Sequence, residues 1–206
     1  MKCTLTALTL AVSLIASGAS AFDRDDLQKV KDTGNCVKCN LEFAYLVGAD
    51  LGNADLGGAD LTEANLTKAN LEGANLTEAN LTEANLEFAN LVGADLGNAD
   101  LVGVRLEGTD LMGARLDGAN LRDAEVGGAY LRDADLFGAY LFRAQMYFAY
   151  LVGADLQRAD LRYADLFGAF LRDANLTDAN LEGANLEGAV LCNTIMPDGS
   201  VIDSGC

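Results

Sequence analysis

The residues with the most chemistry in this chain are its cysteines. Cys36 and Cys39 form a Cys-Val-Lys-Cys run, Cys192 and Cys206 lie near the far end, and Cys3 stands near the start. A C-x-x-C pair can be a dithiol exchange centre, half of a zinc site or a structural disulfide. Exchange chemistry needs the first cysteine at a helix N-terminus in a βαβ setting, and a four-cysteine zinc site needs the two pairs to converge. Other reactive groups are scarce. The 206 residues include no histidine, which excludes Ser-His and Cys-His nucleophiles and histidine metal ligation. The only serines beyond residue 21 are Ser200 and Ser204. With 31 acidic against 14 basic residues and a net charge of -17, the chain repels phosphate backbones and anionic lipid. No catalytic residue, cofactor or metal ligand set is expected, and no nucleic-acid partner.

Compartment decides how the cysteines are read. Lys2, an apolar stretch from Leu5 to Ile15 and the small residues Ala19-Ser20-Ala21 have the three sections of a secretory signal peptide, with cleavage expected after Ala21. The apolar run is too short to span a bilayer, which takes about 20 residues. An exported protein, periplasmic or secreted, is the expectation. Cleavage would leave Cys36, Cys39, Cys192 and Cys206, an even number in an oxidising compartment, for which two disulfides are the default. Of three possible pairings the local ones, Cys36 with Cys39 and Cys192 with Cys206, are favoured, because the two pairs bracket a long repeat.

That repeat positions everything else. From Leu41 to Leu191 an apolar residue occupies every fifth position, 29 times Leu in 31 places, with Val126 and Met146 as substitutes. Two residues earlier stands Ala in 28 of 31 cases, the departures being Cys39, Val104 and Thr109. A stride of five turns an α-helix by about 140° and would spread the leucines around its axis. On a flat strand it would send successive leucines to opposite faces. A chain that turns a corner after each five residues brings every Leu and Ala to one axis, as in a β-solenoid. Burying a Leu is worth about 1.5–3 kcal/mol gross, enough for such a core to offset the ordering entropy. Outward residues favour four sides: a 20-residue coil stacks Tyr130, Tyr150 and Phe170, sets Tyr147 on Phe167, places Arg115 between Asp95 and Asp135, and puts Arg105 under Glu125.

Runs such as Ala64-Asn65-Leu66-Thr67-Lys68 and Ala94-Asp95-Leu96-Gly97-Asn98 resemble the A(D/N)LXX motif of the pentapeptide-repeat family, over about 155 of the 206 residues. The resemblance implies an all-β fold, a right-handed quadrilateral β-helix of about eight coils, on the order of 38 Å long. Its ends need covers. Residues 22–35 read as a short amphipathic capping helix and linker, with Leu27 and Val30 at helical spacing and Gly34 as a stop. The repeat body is placed at 36–192. In residues 193–206 the turn signal Met196-Pro197-Asp198-Gly199 suggests a closing hairpin tied by Cys192 and Cys206. A solenoid supplies no βαβ unit and keeps its ends far apart, so structural disulfides are favoured over redox or zinc roles.

The residue just before each central apolar site is Asp or Asn in 21 of 31 repeats. This fits a turn and ladder residue; calcium would need six to eight oxygens at one point. Beyond residue 100 the coat changes: eight of nine arginines lie there, with Tyr130, Arg132, Tyr147, Phe148, Tyr150, Phe167, Phe170 and Arg172 as a candidate interaction patch. The function expected is a non-catalytic scaffold that binds a protein partner or a second copy of itself. The family resemblance also implies an alternative, nucleic-acid mimicry directed at DNA gyrase; a CxxC oxidoreductase is a further one. The export reading predicts that the native protein begins at Phe22 and has no free thiol, which N-terminal sequencing and thiol titration check. A start at Met1 with reactive Cys36 and Cys39 would overturn it.

Overall fold

The computed structural model describes residues 23–203 and 206; the signal-peptide reading of residues 1–21 lies outside them. Helix α1, Arg24–Thr33, starts where the Asp23 carboxylate accepts the N–H groups of Asp25 (2.8 Å) and Asp26 (3.4 Å). It ends at Gly34, whose φ of 66° turns the chain while its N–H returns to the Val30 carbonyl. Leu27 and Val30 face inward and join the leucine core. No helix among the described residues is long and apolar enough to cross a membrane.

Each repeat is one turn and one extended residue. The Leu carbonyl accepts from the N–H three residues on, as Leu61 does from Ala64 at 2.9 Å. The residue before that Ala has positive φ in every repeat from Lys38 to Asn193, for example 55° at Asn53 and 63° at Gly58. This is the requirement of a type II turn, and it explains why Gly, Asn and Asp are frequent there. One residue per repeat is left extended and bridges, in parallel, the residue 20 further on, from Asn35 with Asp55 to Asn175 with Ile195. Four repeats therefore complete a coil. Neighbouring coils exchange backbone hydrogen bonds in both directions, such as Leu61 N–H to the Asn80 carbonyl at 2.7 Å and Asn65 N–H to the Ala44 carbonyl at 2.9 Å.

The all-β expectation is refined here. Isolated bridges hold the repeats, because five-residue sides leave no room for longer strands. Among the described residues regular strands occur only as β1 (Thr194–Ile195) and β2 (Val201–Ile202), an antiparallel pair closed by the 196–199 turn.

The Leu and Ala phases are buried along the axis. Thr109 takes an Ala slot at the cost of a buried hydroxyl, satisfied by donation to the Leu86 carbonyl at 2.7 Å. Val126, shorter than Leu, sits one coil below Met146, and both line a cavity of only about 10 Å³. Coverage of the two ends differs. At the α1 end Leu41 and Leu46 are buried, whereas Leu181, Leu186 and Leu191 at the other end are only partly so. The reason is local: the hairpin continues a single side, with Leu176 N–H bonded to the Ile195 carbonyl and Asp178 N–H to the Pro197 carbonyl.

The inward phase makes a direct prediction. Leu106→Lys places an unpartnered ammonium in the axis, costs roughly 3–5 kcal/mol and prevents folding. Asn65→Ser faces outward and costs about 1 kcal/mol or less. Thermal denaturation of the two variants checks this, and equal midpoints would contradict the phase.

Candidate interaction surface

Outward chemistry is organised in vertical columns, since residues 20 apart bridge each other. In an ordinary column the Asp or Asn side chain accepts from the N–H two residues on, as Asn65 does from Thr67 at 3.1 Å. An Asn amide also donates to the Asp or Asn one coil earlier, as in Asn70 to Asp50 (2.9 Å), Asn75 to Asp55 (2.8 Å) and Asn90 to Asn70 (3.1 Å). These residues are therefore internal ladder partners.

One column changes character along its length. Asp50, Asn70, Asn90 and Asp110 are followed by Tyr130, Tyr150, Phe170 and Val190. The three rings stack nearly parallel, with centroids 4.9 Å apart at each step and interplanar angles of 9° and 6°. Tyr130 and Tyr150 remain 45% and 39% exposed. Beside them runs the column Arg132, Val152 and Arg172. A recess of about 570 Å³ is lined by Arg132, Val152, Phe170, Arg172, Asp173 and Val190. Arg132 pairs with Asp133 at 3.3 Å, while Arg172 forms no ion pair among the described residues. Because the rings lie face to face along the column, the stack turns its edges outward; edges carry the positive end of the aromatic quadrupole.

Tyr147, Phe148 and Phe167 form a second group on the adjoining side. The expected stacking of Tyr147 on Phe167 is not found: Phe148 makes the edge contact with Phe167, at 5.5 Å. Tyr147 turns toward the preceding coils, where its ring fills the space a side chain on Gly127 would take, and its hydroxyl donates to Glu107 at 2.5 Å. That bond, with burial and the nearby carboxylates, raises the phenol above its ordinary range. Among the described residues no ring contact joins the two groups. The structure thus brings together Tyr130, Arg132, Tyr150, Phe170 and Arg172 and sets Tyr147, Phe148 and Phe167 apart.

The charged columns match in part. Arg105 pairs with Glu87 and lies 3.6 Å from Glu125; Arg115 reaches Asp95 at 2.7 Å but turns to Asp117, not Asp135, at 2.9 Å. A further cluster escaped sequence reasoning: Arg143 and Arg162 lie over the Phe142 ring, and Tyr163 meets its edge. Arg162 also holds the Asp160 carboxyl below its usual range by two hydrogen bonds. Three of the four aromatics in the positive-φ place pair with a glycine 20 residues on: Phe88 covers Gly108, Phe148 covers Gly168 and Tyr163 covers Gly183, whereas Phe43 has Glu63 there. That spacing was the available signal.

Cys36 and Cys39 are joined as a disulfide, as are Cys192 and Cys206. The first pair occupies a Leu and an Ala slot beneath α1 and is 0% and 3% exposed, closed to an incoming thiolate. Asp26 lies beside it, with one carboxylate oxygen and the two sulfurs within 4.8 Å of one another. These three atoms could ligate a metal only after reduction of the disulfide.

A five-residue stride, an Ala-Leu axis and bridges 20 residues apart define a class of repeat protein. The family model for pentapeptide repeats matches eight copies, over residues 39–78, 79–118, 114–147, 139–178 and 154–193, and the chain belongs to this family. Its structure is similar to that of HetL, a pentapeptide repeat protein involved in heterocyst differentiation regulation in the cyanobacterium Nostoc. The two share 42% identity, covering 82% of this chain and 78% of that one, with a TM-score of 0.51. A pentapeptide repeat protein of the Arabidopsis thaliana thylakoid lumen is 31% identical over 48% of this chain and 69% of its own, with a TM-score of 0.47. QnrB1, a plasmid-mediated fluoroquinolone resistance protein, shares the fold at 21% identity, with 78% and 82% of the chains covered and a TM-score of 0.54. No curated protein matches this chain.

The ring-on-glycine contact is testable in isolation at Gly127, which lacks positive φ. Gly127→Ala is expected to destabilise the protein, and to cost about 1 kcal/mol less in a Tyr147→Ala background. Denaturant unfolding of the four proteins measures the coupling; additivity would show that the ring does not depend on the glycine.

Proposed function

We propose that this protein is an exported, non-catalytic pentapeptide-repeat scaffold, a right-handed rod of about eight coils capped at its N-terminal end by α1. On this reading it works by presenting the face of Tyr130, Tyr150 and Phe170 with Arg132 and Arg172 to a protein partner. One observation carries the proposal: in a rod of net charge -17, one face trades its self-satisfying Asp and Asn ladder for stacked rings, two of them exposed, and for a guanidinium without an ion pair among the described residues. Aromatic and arginine side chains are the groups that interface centres enrich. The interruption of the Asp and Asn ladders by Arg105 and Arg115, with Arg132 and Arg172 beside the ring stack, supports this reading over nucleic-acid mimicry, which calls for continuous negative charge. The buried Cys36–Cys39 bond supports a structural role for the CVKC run.

Tyr150→Ala combined with Phe170→Ala is expected to weaken association by 2 kcal/mol or more, on the order of 30-fold, and to leave the fold intact. Asn80→Ala with Asn120→Ala, on the opposite side of the coil, removes ladder hydrogen bonds, lowers stability by about 1–2 kcal/mol and keeps the partner. Pull-down from the native compartment, with melting curves, checks both. If the aromatic double variant melts earlier but retains every partner, the rings serve coil stacking alone.

A further inference from the structure

The face that carries the aromatic stack is complementary to itself when reversed. Its outer column reads, coil by coil, Gly52, Glu72, Val92, Met112, Arg132, Val152 and Arg172, with acid toward one end, base toward the other and apolar groups between. Met112 is 42% exposed, and Val92 and Val152 are each partly exposed. Neither charge at the two ends is fully used. Arg172 has no ion pair among the described residues, and Glu72 accepts only a long 3.4 Å hydrogen bond from Asn90 besides its backbone contacts.

We propose, building on the surface reading above, that the occupant of this face is a second copy of the chain packed side by side and antiparallel. A two-fold axis lying across the face, midway between the coils of Asp110 and Tyr130, matches each column with itself in reverse. Arg172 then meets Glu72 of the second copy, Val152 meets Val92, and Arg132 lies along Met112; each contact occurs twice. In the inner column Tyr130 meets Asp110, Tyr150 meets Asn90, and Phe170 meets Asn70, so positive ring edges face carboxylate and amide oxygens. The parallel arrangement would set the acidic halves against each other. Identical coil spacing in both rods keeps the register from end to end, which a partner of another fold does not provide.

Size agrees with this pairing. A face of about eight coils at 4.8 Å, roughly 20 Å wide with its side chains, covers roughly 750 Å² on each copy. This is about the 800 Å² per partner of standard interfaces. The contact is isologous and closed, giving a dimer and not a filament.

Charge reversal tests the proposal, because Glu72 and Arg172 point outward and their variants fold. Sedimentation equilibrium of the whole native protein is expected to show a dimer. Glu72→Arg alone and Arg172→Glu alone each place two like-charged pairs in the interface and weaken the dimer at least tenfold. The double variant Glu72→Arg/Arg172→Glu restores it. Dimers that persist unchanged in both single variants, or a double variant no better than the singles, would overturn the antiparallel register. A wild-type protein that is monomeric at every concentration yet still captures a partner through Tyr150 and Phe170 would overturn self-pairing while sparing the surface reading. Loss of both would remove the two together.

Discussion

The hydrogen bond from each Ala N–H to the Leu carbonyl three residues before it fixes the rest of the molecule. It closes a turn in every repeat, and the turn forces the residue preceding that Ala to positive φ. With the corner made, Leu and Ala point to the axis, a single residue stays extended, and the chain returns to its own column after 20 residues. Eleven of these positive-φ places are filled by residues other than Gly, Asn and Asp, including Phe43, Phe88, Phe148 and Tyr163. Such residues resist this conformation, and the core and ladder hold them in it.

The same constraint makes the surface a set of independent columns. Since the core depends on two phases of the repeat, the other three are free to vary, and a column changes chemistry without disturbing the axis. Replacing Asp or Asn by Tyr or Phe exchanges a hydrogen-bonded ladder for a ring stack at the same spacing, so Tyr130, Tyr150 and Phe170 fit without a change of register. What the exchange adds is an exposed edge of aromatic and guanidinium groups on an acidic rod. Function in such a molecule is written in columns, and both the proposed partner face and its self-complementarity follow from this.

Much of this was legible in the sequence because the repeat is strict. The inward phase, the four-sided coil, the helix with its Gly34 stop and the columns of Tyr130, Tyr150 and Phe170 follow from spacing alone. Side-chain direction does not. Tyr147 shares a column with Phe167, yet the open space over Gly127 and the Glu107 carboxylate draw it the other way. Arg115 stands between two aspartates in register, but Asp117 on its own turn is closer than Asp135. These outcomes depend on which neighbour is small, a property of pairs 20 residues apart that a reading of single repeats misses. The partial cover at the C-terminal end was hidden for a similar reason: a hairpin signal says that a turn forms, not how many sides it shields.

The central claim is that residues 20 apart are neighbours and residues 15 apart are on different sides. Nitroxide labels at exposed sites test it most directly by continuous-wave electron paramagnetic resonance, in a protein whose disulfides are intact and whose labels are attached at substituted outward positions. Labels at 72 and 92 should lie about one coil spacing apart, near 5 Å between backbones, and show strong spin–spin broadening. Labels at 72 and 87 should give spectra close to the sum of the single-label spectra. Broadening of the 72–87 pair with a sharp 72–92 spectrum would replace the four-sided coil by a three-sided one and dissolve the aromatic column with it.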